Sequence, residues 1–304
     1  MPRVSVLTAT YNQERYVERC LDSVREQTFR DLEHIVVDDG SSDGTRAILA
    51  SRDGIVYEPQ ENAGNVASRN RALALSTGEY VAVLDGDDWW DPRKLELQIA
   101  LMDADPDVGL VYTGLVEVDE AGEVSSAVMF NDITDDPIAT QLVSNATPFS
   151  SMLIRREALG SGWLLDPRFN LVGDRHLTLQ VALGGWKFAC VPGPMLNLRT
   201  HPASMRYSSE FRQEYLRQLL GVLEDVGLDS RLPERYAGDM QRAAARAYFT
   251  TAWLMIDRGS AWERRAANRY LSDAVERDPG LRAEVARQRV KSVLKSVGWR
   301  RRIT

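Results

Sequence analysis

The sequence predicts an α/β protein, with a mixed and mostly parallel sheet flanked by helices and a helical subdomain at the C-terminal end. Three observations predict it. Short β-branched runs alternate with helically spaced stretches as far as Ala104, the pattern of strands joined by crossover helices. From Val108 the alternation breaks, and two extended runs flank the turn Glu120-Ala121-Gly122, so a hairpin enters the sheet and makes it mixed. After Pro192, Pro194 and Pro202 the chain becomes helix-rich from Glu210 to its end. A boundary near Met205 then separates a core domain, 1–205, from a helical region, 206–304, and the core itself divides into 1–104 and 105–205.

In order along the chain, strands are expected at Val4 to Ala9, Glu33 to Val37, Ile55 to Glu58 and Tyr80 to Leu84. Helices are expected at Arg15 to Gln27, Thr45 to Ser51, Val66 to Ser76 and Pro92 to Ala104. The first carries Tyr16, Val17, Cys20, Leu21 and Val24 on one face. Pro92 reads as a helix start and Gly78 as the stop of the third helix. The hairpin arms are Val111 to Val118 and Val124 to Val128; a polar segment from Asn131 to Asn145 follows, then a short strand from Ser151 to Arg155. In the helical region, Gln241 to Ile256 and Ala266 to Glu276 form a helical hairpin around Trp253 and Tyr270.

The composition, 44% hydrophobic and 27% charged, is that of an ordinary globular protein. No run of about 18 apolar residues is present, which excludes a membrane-spanning helix. The first residues, MPRVSVLTATYN, lack the basic start and long apolar stretch of a signal peptide, so a cytoplasmic location is expected. Cys20 and Cys190 read as buried free thiols. The net charge is −7, and it is uneven: from Leu281 onward eight basic residues face only Glu284, which gives that tail +7 and leaves −14 on the rest. A negative body argues against nucleic acid as a partner.

Ligands of open α/β sheets bind beyond the carboxyl ends of the strands. Here the first strand exits into Thr8-Ala9-Thr10-Tyr11-Asn12, the second into Asp38-Asp39-Gly40-Ser41-Ser42-Asp43-Gly44 and the fourth into Asp85-Gly86-Asp87-Asp88. Neither GxGxxG nor GxxxxGK[ST] follows the first strand, so neither a dinucleotide fold nor a P-loop is supported. Carboxylates repel a nucleotide's phosphates unless a hard divalent cation stands between them, and the DGDD cluster directly after the apolar run YVAVL suits such an ion.

These pieces, namely VSVLTATYNQERYVERCLDSVREQTF, HIVVDDGSSDGT, ENAGNVASRNRAL, GEYVAVLDGDDWWDPRKLE, GDRHL and RTHPAS, resemble in their order the inverting family-2 glycosyltransferases of GT-A fold. The resemblance implies a nucleotide-diphospho-sugar donor, with a uridine donor the best match, a divalent cation (Mn2+ or Mg2+), and a saccharide, glycolipid or small-molecule acceptor. It makes 1–104 the nucleotide-binding half and 105–205 the acceptor half.

Carried over by position, Ala9 and Tyr11 hold the nucleobase and Asp39 accepts a hydrogen bond from a uracil ring nitrogen, while Asp38 either joins in or only shapes the turn. Asn62 and Arg69 face the nucleotide, or else belong to a capped helix start with a surface arginine. The DxD motif is matched by Asp85-Gly86-Asp87, with Asp85 near the ribose and Asp87 on the metal; Asp88 is a rival ligand. Trp89 and Trp90 are core or offer a stacking face. His201 completes the metal site, and His34 and His176 are structural. Asp174 inherits the general-base role, although Gly173 stands where Glu is commoner, and Asp174 also suits an N-cap on a helix from Arg175 to Ala182.

A sugar-phosphate nucleotidyltransferase is a second enzyme class for such a sheet, disfavoured because no Gly-rich, Arg-containing loop follows the first strand. A catalytically silent sugar-nucleotide binder or scaffold is a third reading, against which the retained Asp39, Asp87 and Asp174 speak. The basic tail, with Val290, Val293, Leu294 and Val297 at helical spacing and Trp299 before Arg300-Arg301-Arg302, suits peripheral membrane contact or else packing on the preceding helices or a homo-oligomer contact.

Overall fold

Strands β1 (Val4–Thr10), β2 (Leu32–Asp38), β3 (Val56–Pro59), β4 (Tyr80–Val83), β5 (Trp89–Trp90), β6 (Val108–Val118), β7 (Leu153–Arg155) and β8 (Lys187–Arg199) form one sheet in the order β3-β2-β1-β4-β7-β6-β8-β5. The computed structural model describes the chain apart from residues 127–132, 144–146, 161, 163, 202–208, 259 and 297–304. The chain divides into two units, 1–138 with 145–201, and 139–144 with 202–304. The sheet belongs to the first.

Strands β3, β2, β1 and β4 run parallel, with Thr10 opposite Asp38, so their carboxyl ends open on one edge. Strand β7 pairs antiparallel with both β4 and β6, β6 runs parallel to β8, and β5 is antiparallel to β8. The mixed sheet is the GT-A arrangement expected from the motifs. Both faces are buried, which explains near-continuous apolar strands. Val4, Val6, Tyr80 and Ala82 pack with Cys20 and Val24 of α1 (Val17–Arg25) and with Leu95, Ile99 and Met102 of α4 (Lys94–Ala104). The alternate residues Leu7, Val81 and Val83 turn to the other face. There they meet Val66, Ala72 and Leu73 of α3 (Asn65–Leu75) and Leu177 and Val181 of α6 (Gly173–Leu183).

Several expectations are corrected. Helix α4 starts at Lys94 rather than Pro92, because the Pro92 carbonyl accepts the Thr28 N–H at 2.8 Å and is tied to the loop after α1. Helix α3 ends at Leu75, and Gly78 serves a close approach instead: a Cβ there would lie 2.7 Å from the Ser5 backbone nitrogen. Strand β8 was hidden by Pro192 and Pro194. The β6–β8 pairing runs from Val191 opposite Thr113 to Pro194 opposite Gly114, so the shift in register takes up Pro192 and Gly193, the latter at φ +107°. Proline is tolerated in a strand at such a bulge because no ladder N–H is needed there. The expected hairpin after β6 is a turn closed by a single bridge, Val118 to Val124, and its arm at 127–128 lies outside the described residues. The segment read as polar holds α5 (Pro137–Val143), in which Ile138 and Leu142 recur at helical spacing. Cys20 is a buried free thiol, whereas Cys190 is only half-buried.

His34, buried in β2, has its Nε2 3.0 Å from Thr8 Oγ1, and burial pushes its pKa down to about 3. The unfolded chain takes up a proton near pH 6.5 that the folded one refuses, so this stability is complete above that pH and is lost as pH falls toward 3. Stability is therefore expected to drop by about 2 kcal/mol between pH 7 and pH 5 through this residue alone. Urea midpoints at the two pH values should differ less in His34→Gln than in the parent.

In the second unit, α7 (Ser209–Gly227), α8 (Ala237–Arg258), α9 (Ala261–Arg277) and α10 (Arg282–Ser296) form a bundle. The hairpin of α8 and α9 is as expected, and Ser260 and Glu263 make a capping box that starts α9. Alanines at 245, 252, 267 and 274 bring the two helices close around Phe249, Met255, Ile256 and Leu271, and Leu281 and Val285 of the α10 end close the cluster. Among the described residues no helix is long and apolar enough to cross a membrane. The boundary residue Met205 and the basic end at 297–304 lie outside the described residues, as do the side chains of Val290, Val293 and Leu294.

Candidate active site

The site is built at the carboxyl edge of β1, β2 and β4 by loops that lace those strands together. After β1 the chain turns at Asn12, at φ +52°, whose Oδ1 accepts the Ser42 N–H at 2.8 Å while its own N–H donates to Ser41 Oγ at 2.9 Å. A short polar side chain tolerates that left-handed backbone. Gln13 N–H donates to Thr45 Oγ1 at 2.8 Å, which locks the start of α2 (Thr45–Ala50) to the same loop. The clamp leaves the Tyr11 ring 49% exposed at the edge, with Ala9 half-buried in β1 behind it.

Asp38 and Asp39 divide the work at the end of β2. Asp38, fully buried, accepts the Ser41 N–H at 3.0 Å and lies 3.5 Å from Arg46 Nε, so it shapes the turn. The Asp39 carboxylate takes the Ala63 and Gly64 N–H groups at 2.8 and 2.9 Å and the Gln60 amide at 2.7 Å, and thereby receives the loop that leads into α3. A carboxylate offers about four lone-pair directions, so acceptor capacity remains. The same loop passes so close to Gly40 that a Cβ there would stand 2.9 Å from the Asn62 backbone nitrogen, and Gly40 sits at φ +79°. Asn62 itself is exposed. Gly40→Ala is expected to destabilise the chain by about 1–3 kcal/mol and to weaken nucleotide binding, since strain and overlap fall together on the loop that Asp39 holds. Paired urea melts and uridine-diphosphate titrations measure both effects.

Arg69 of α3 reaches across to Asp85, with which it forms an ion pair, while its Nη1 donates to Asn65 Oδ1 at 2.8 Å and its guanidinium lies 4.7 Å from the Phe149 ring centre. It is therefore an inward-facing residue and not a surface arginine. Gly86 lets the acidic loop close on the first strand: a Cβ would fall 3.1 Å from Thr10 Cβ and on top of the Gln13 amide oxygen.

The three aspartates of the DGDD loop then separate. Asp87 Oδ2 stands 3.0 Å from His201 Nε2, and the two side chains are 20% and 9% exposed. Asp88 turns inward, only 3% exposed, where Ser150 Oγ donates to its Oδ2 at 2.7 Å and the Arg199 N–H to its Oδ1 at 2.9 Å. Burial beside Asp87 and Asp85 pushes the Asp88 carboxyl well above the usual range. Asp88 thus ties the acidic loop to the turn before β7 and to the end of β8, and is not the exposed partner of Asp87. Trp90 is core, its indole donating to the Ser150 carbonyl at 2.7 Å, and the buried Lys94 amine lies 3.8 Å from its ring centre. Trp89 is covered by Arg199, whose guanidinium lies 4.7 Å from the ring centres of both Trp89 and Tyr16.

Arg199 is the residue that sequence reasoning missed. Its Nε donates to the Asp87 carbonyl at 3.1 Å and its Nη1 to the Glu120 carbonyl at 2.7 Å, which ties the acidic loop to the turn after β6. Tyr16 OH reaches Glu120 Oε1 at 3.1 Å, and its ring lies 5.0 Å from that of His201. Burial raises the Tyr16 pKa, and the bond from Tyr16 lowers that of Glu120.

Asp174 lies half-buried in the first turn of α6, and its Oδ1 accepts the Arg175 N–H at 2.8 Å. The N-cap position belongs to Val172, so the capping alternative is corrected: the helix begins two residues earlier than the pattern implied. Gly173 has a packing reason, because a Cβ there would press to 3.2 Å on Leu165. His34 and His176 are both buried and His176 packs 4.8 Å from Phe169, as expected of structural residues.

A sequence model described as glycosyl transferase family 2 matches residues 5–161. The chain belongs to this family. The putative glycosyltransferase EpsH of Bacillus subtilis is 32% identical over 218 residues, which are 67% of this chain and 62% of that protein. Over the relatives matched, the chain spans about half of their length, 53%, 42% and 62% for three of them. The crystal structure of S. aureus TarS 1-349 in complex with UDP-GlcNAc superposes with a TM-score of 0.69 at 19% identity, covering 97% of this chain and 89% of that one. The mannosyltransferase PcManGT from Pyrobaculum calidifontis, in complex with GDP-Man and Mn2+, gives 0.61 at 20% identity and covers 97% and 87%. At those identities the likeness is one of fold, and the family-2 core has the GT-A sheet.

Proposed function

We propose that this family-2 chain transfers a sugar from a uridine-diphosphate donor to an acceptor hydroxyl in glycan biosynthesis, with inversion at the sugar carbon, through its domain 1–205. The observation that carries the reading is the pairing of Asp87 with His201 at 3.0 Å, beside Asp85 held by Arg69, at the open edge of a parallel sheet. One hard oxygen and one imidazole nitrogen, both largely shielded, fit a Mn2+ or Mg2+ ion that keeps its other positions for phosphate oxygens and water. Asp87 and His201 would hold the ion, which when bound neutralises charge on the departing diphosphate.

Tyr11 stacks on the base with Ala9 beneath it, and Asp39 accepts the ring N–H of uracil with its remaining lone pair. Asp85 meets the ribose, and Asn62 and Arg69 line the nucleotide's path. Asp174 takes the proton of the acceptor hydroxyl as that oxygen bonds to the anomeric carbon; the bond from that carbon to the diphosphate breaks, and its electron pair leaves with the diphosphate. TarS has been crystallised with UDP and with UDP-GlcNAc, and TuaG of Bacillus subtilis, 44% identical over 106 residues, is a putative teichuronic acid biosynthesis glycosyltransferase, which supports a uridine donor and a glycan acceptor.

Incubation of the chain with a panel of uridine, guanosine and thymidine diphosphate sugars and manganese tests the reading. Slow release of UDP from one uridine donor, stopped by a chelator, is expected. Release of no nucleoside diphosphate, with no metal-linked UDP binding, would sink it.

A further inference from the structure

Two consecutive residues of α3 address different walls of the site. At 3.6 residues per turn, the side chains of Arg69 and Asn70 leave the helix about 100° apart. Arg69 turns to the acidic loop, where it pairs with Asp85. Asn70 turns to the segment that leads into α6. Its Oδ1 accepts the Leu164 N–H at 3.0 Å and the Leu165 N–H at 2.9 Å, and its Nδ2 donates to the Leu165 carbonyl at 2.7 Å. One side-chain amide thus serves both backbone groups of Leu165, as the residue opposite it in a sheet would, and fixes the position and the orientation of the chain there. Leu164 and Leu165 are only 1% and 3% exposed, so water is poorly placed to take over these bonds, and a buried backbone group left without a partner costs more than its bond gains.

Leu165 in turn seats the first turn of α6. A Cβ on Gly173 would stand 3.2 Å from Leu165 Cδ2 and 3.5 Å from Leu165 Cβ, so the leucine lies against the bare backbone of the residue before Asp174. The missing side chain at 173 is part of this fit. Phe169, between the two, packs 4.8 Å from the His176 ring and ties the connecting stretch to the same helix. Contacts therefore run without a gap from α3 through Asn70 and Leu165 to Gly173 and Asp174. We propose, resting on the reading of Asp174 as the base, that Asn70 is a positioning residue for transfer. By holding Leu165 it sets where the first turn of α6 stands relative to α3, and so how far the Asp174 carboxylate lies from a donor flanked by Arg69 and Asp85. Asn70 acts on the rate through Asp174 and not on donor affinity, because Arg69, Asp85 and Asp39 keep their own partners without it.

The test is a double-mutant cycle on the full chain: parent, Asn70→Ala, Asp174→Asn and the double variant. Arg71→Ala, an exposed residue of the same helix paired with Glu58, is the control and should match the parent. Transfer from a uridine donor to a pool of octyl glycosides of glucose, N-acetylglucosamine, galactose and mannose is scored by product mass, and UDP affinity by calorimetric titration with manganese. Asn70→Ala is expected to lower kcat by on the order of tenfold to a hundredfold, the cost of a base displaced by about 1 Å, with UDP affinity unchanged. In the Asp174→Asn background the same substitution should cost no more than about twofold, since residues that act as a unit are not additive. Asn70→Asp keeps both acceptor bonds, so it supplies the cycle where the alanine variant does not fold, with a smaller loss of the same kind. Hydrogen exchange needs no acceptor: amides of 164–178 should exchange faster in Asn70→Ala while those of 80–90 do not change. Unaltered exchange across 164–178 overturns the proposal, as does a loss at Asn70 that multiplies with the loss at Asp174 or falls on UDP affinity. An Asp174→Asn enzyme as fast as the parent sinks the base reading itself, whereas a slow one with multiplying losses sinks the positioning role alone.

Discussion

Asp87→Ala is expected to abolish manganese-supported transfer, by on the order of a thousandfold or more, because a bound cation would supply several kcal/mol at the departing diphosphate and this carboxylate is the one that stands beside His201. The neighbours cannot stand in. Asp85 is engaged by Arg69, and Asp88 is buried, with one oxygen on Ser150 and the other on the Arg199 backbone. His201 would be left as the lone ligand, which is too little to retain a hard ion against water. Calorimetric titration should show manganese no longer strengthening UDP binding. Full activity in the variant would move the ion to Asp88 or remove it from the reaction.

The second large effect is expected at Asp174. Asp174→Asn keeps the size and a hydrogen-bond acceptor for the Arg175 N–H, so α6 should start as before. What it removes is the ability to take a proton, and loss of a general base costs on the order of a hundredfold or more in rate. Donor affinity should hold while transfer falls, with slow donor hydrolysis as the internal check. A parallel loss of UDP affinity would make Asp174 a structural residue and place the base elsewhere.

How much of this was legible in the sequence depends on the range over which each feature is decided. Strands β1, β2 and β4 are apolar on both faces and their limits could be read to within two residues, since burial under helices on each side leaves a continuous signature. Asp85 and Asp87 followed from their place after β4. Whether Asp88 faces the ligand or the core could not be read locally, because the groups that claim it, Ser150 and Arg199, stand 62 and 111 residues away. Arg199 escaped for the same reason. Its signal was present in the RTHPAS segment, but a guanidinium that donates to backbone carbonyls leaves no mark on the partner's sequence. Strand β8 escaped because its two prolines obey the rule for breakers everywhere except at a bulge.

The pairing of Asp87 with His201 spans 114 residues of chain, and no hydrogen bond of that size could close such a ring unaided, since the loop entropy grows as the logarithm of its length. The ladder between β6 and β8 closes it instead, delivering Arg199 and His201 together. During synthesis the acidic loop therefore precedes its basic partners by more than a hundred residues, a wait of roughly 5–20 s at ordinary elongation rates of about 5–20 residues per second. Until β8 docks, two of the three carboxylates lack the groups that hold them in the finished fold. The nascent front half is thus a separate electrostatic object, more dependent on counter-ions than the completed protein, and the last strand made is the one that brings the basic groups to a solvated acidic turn.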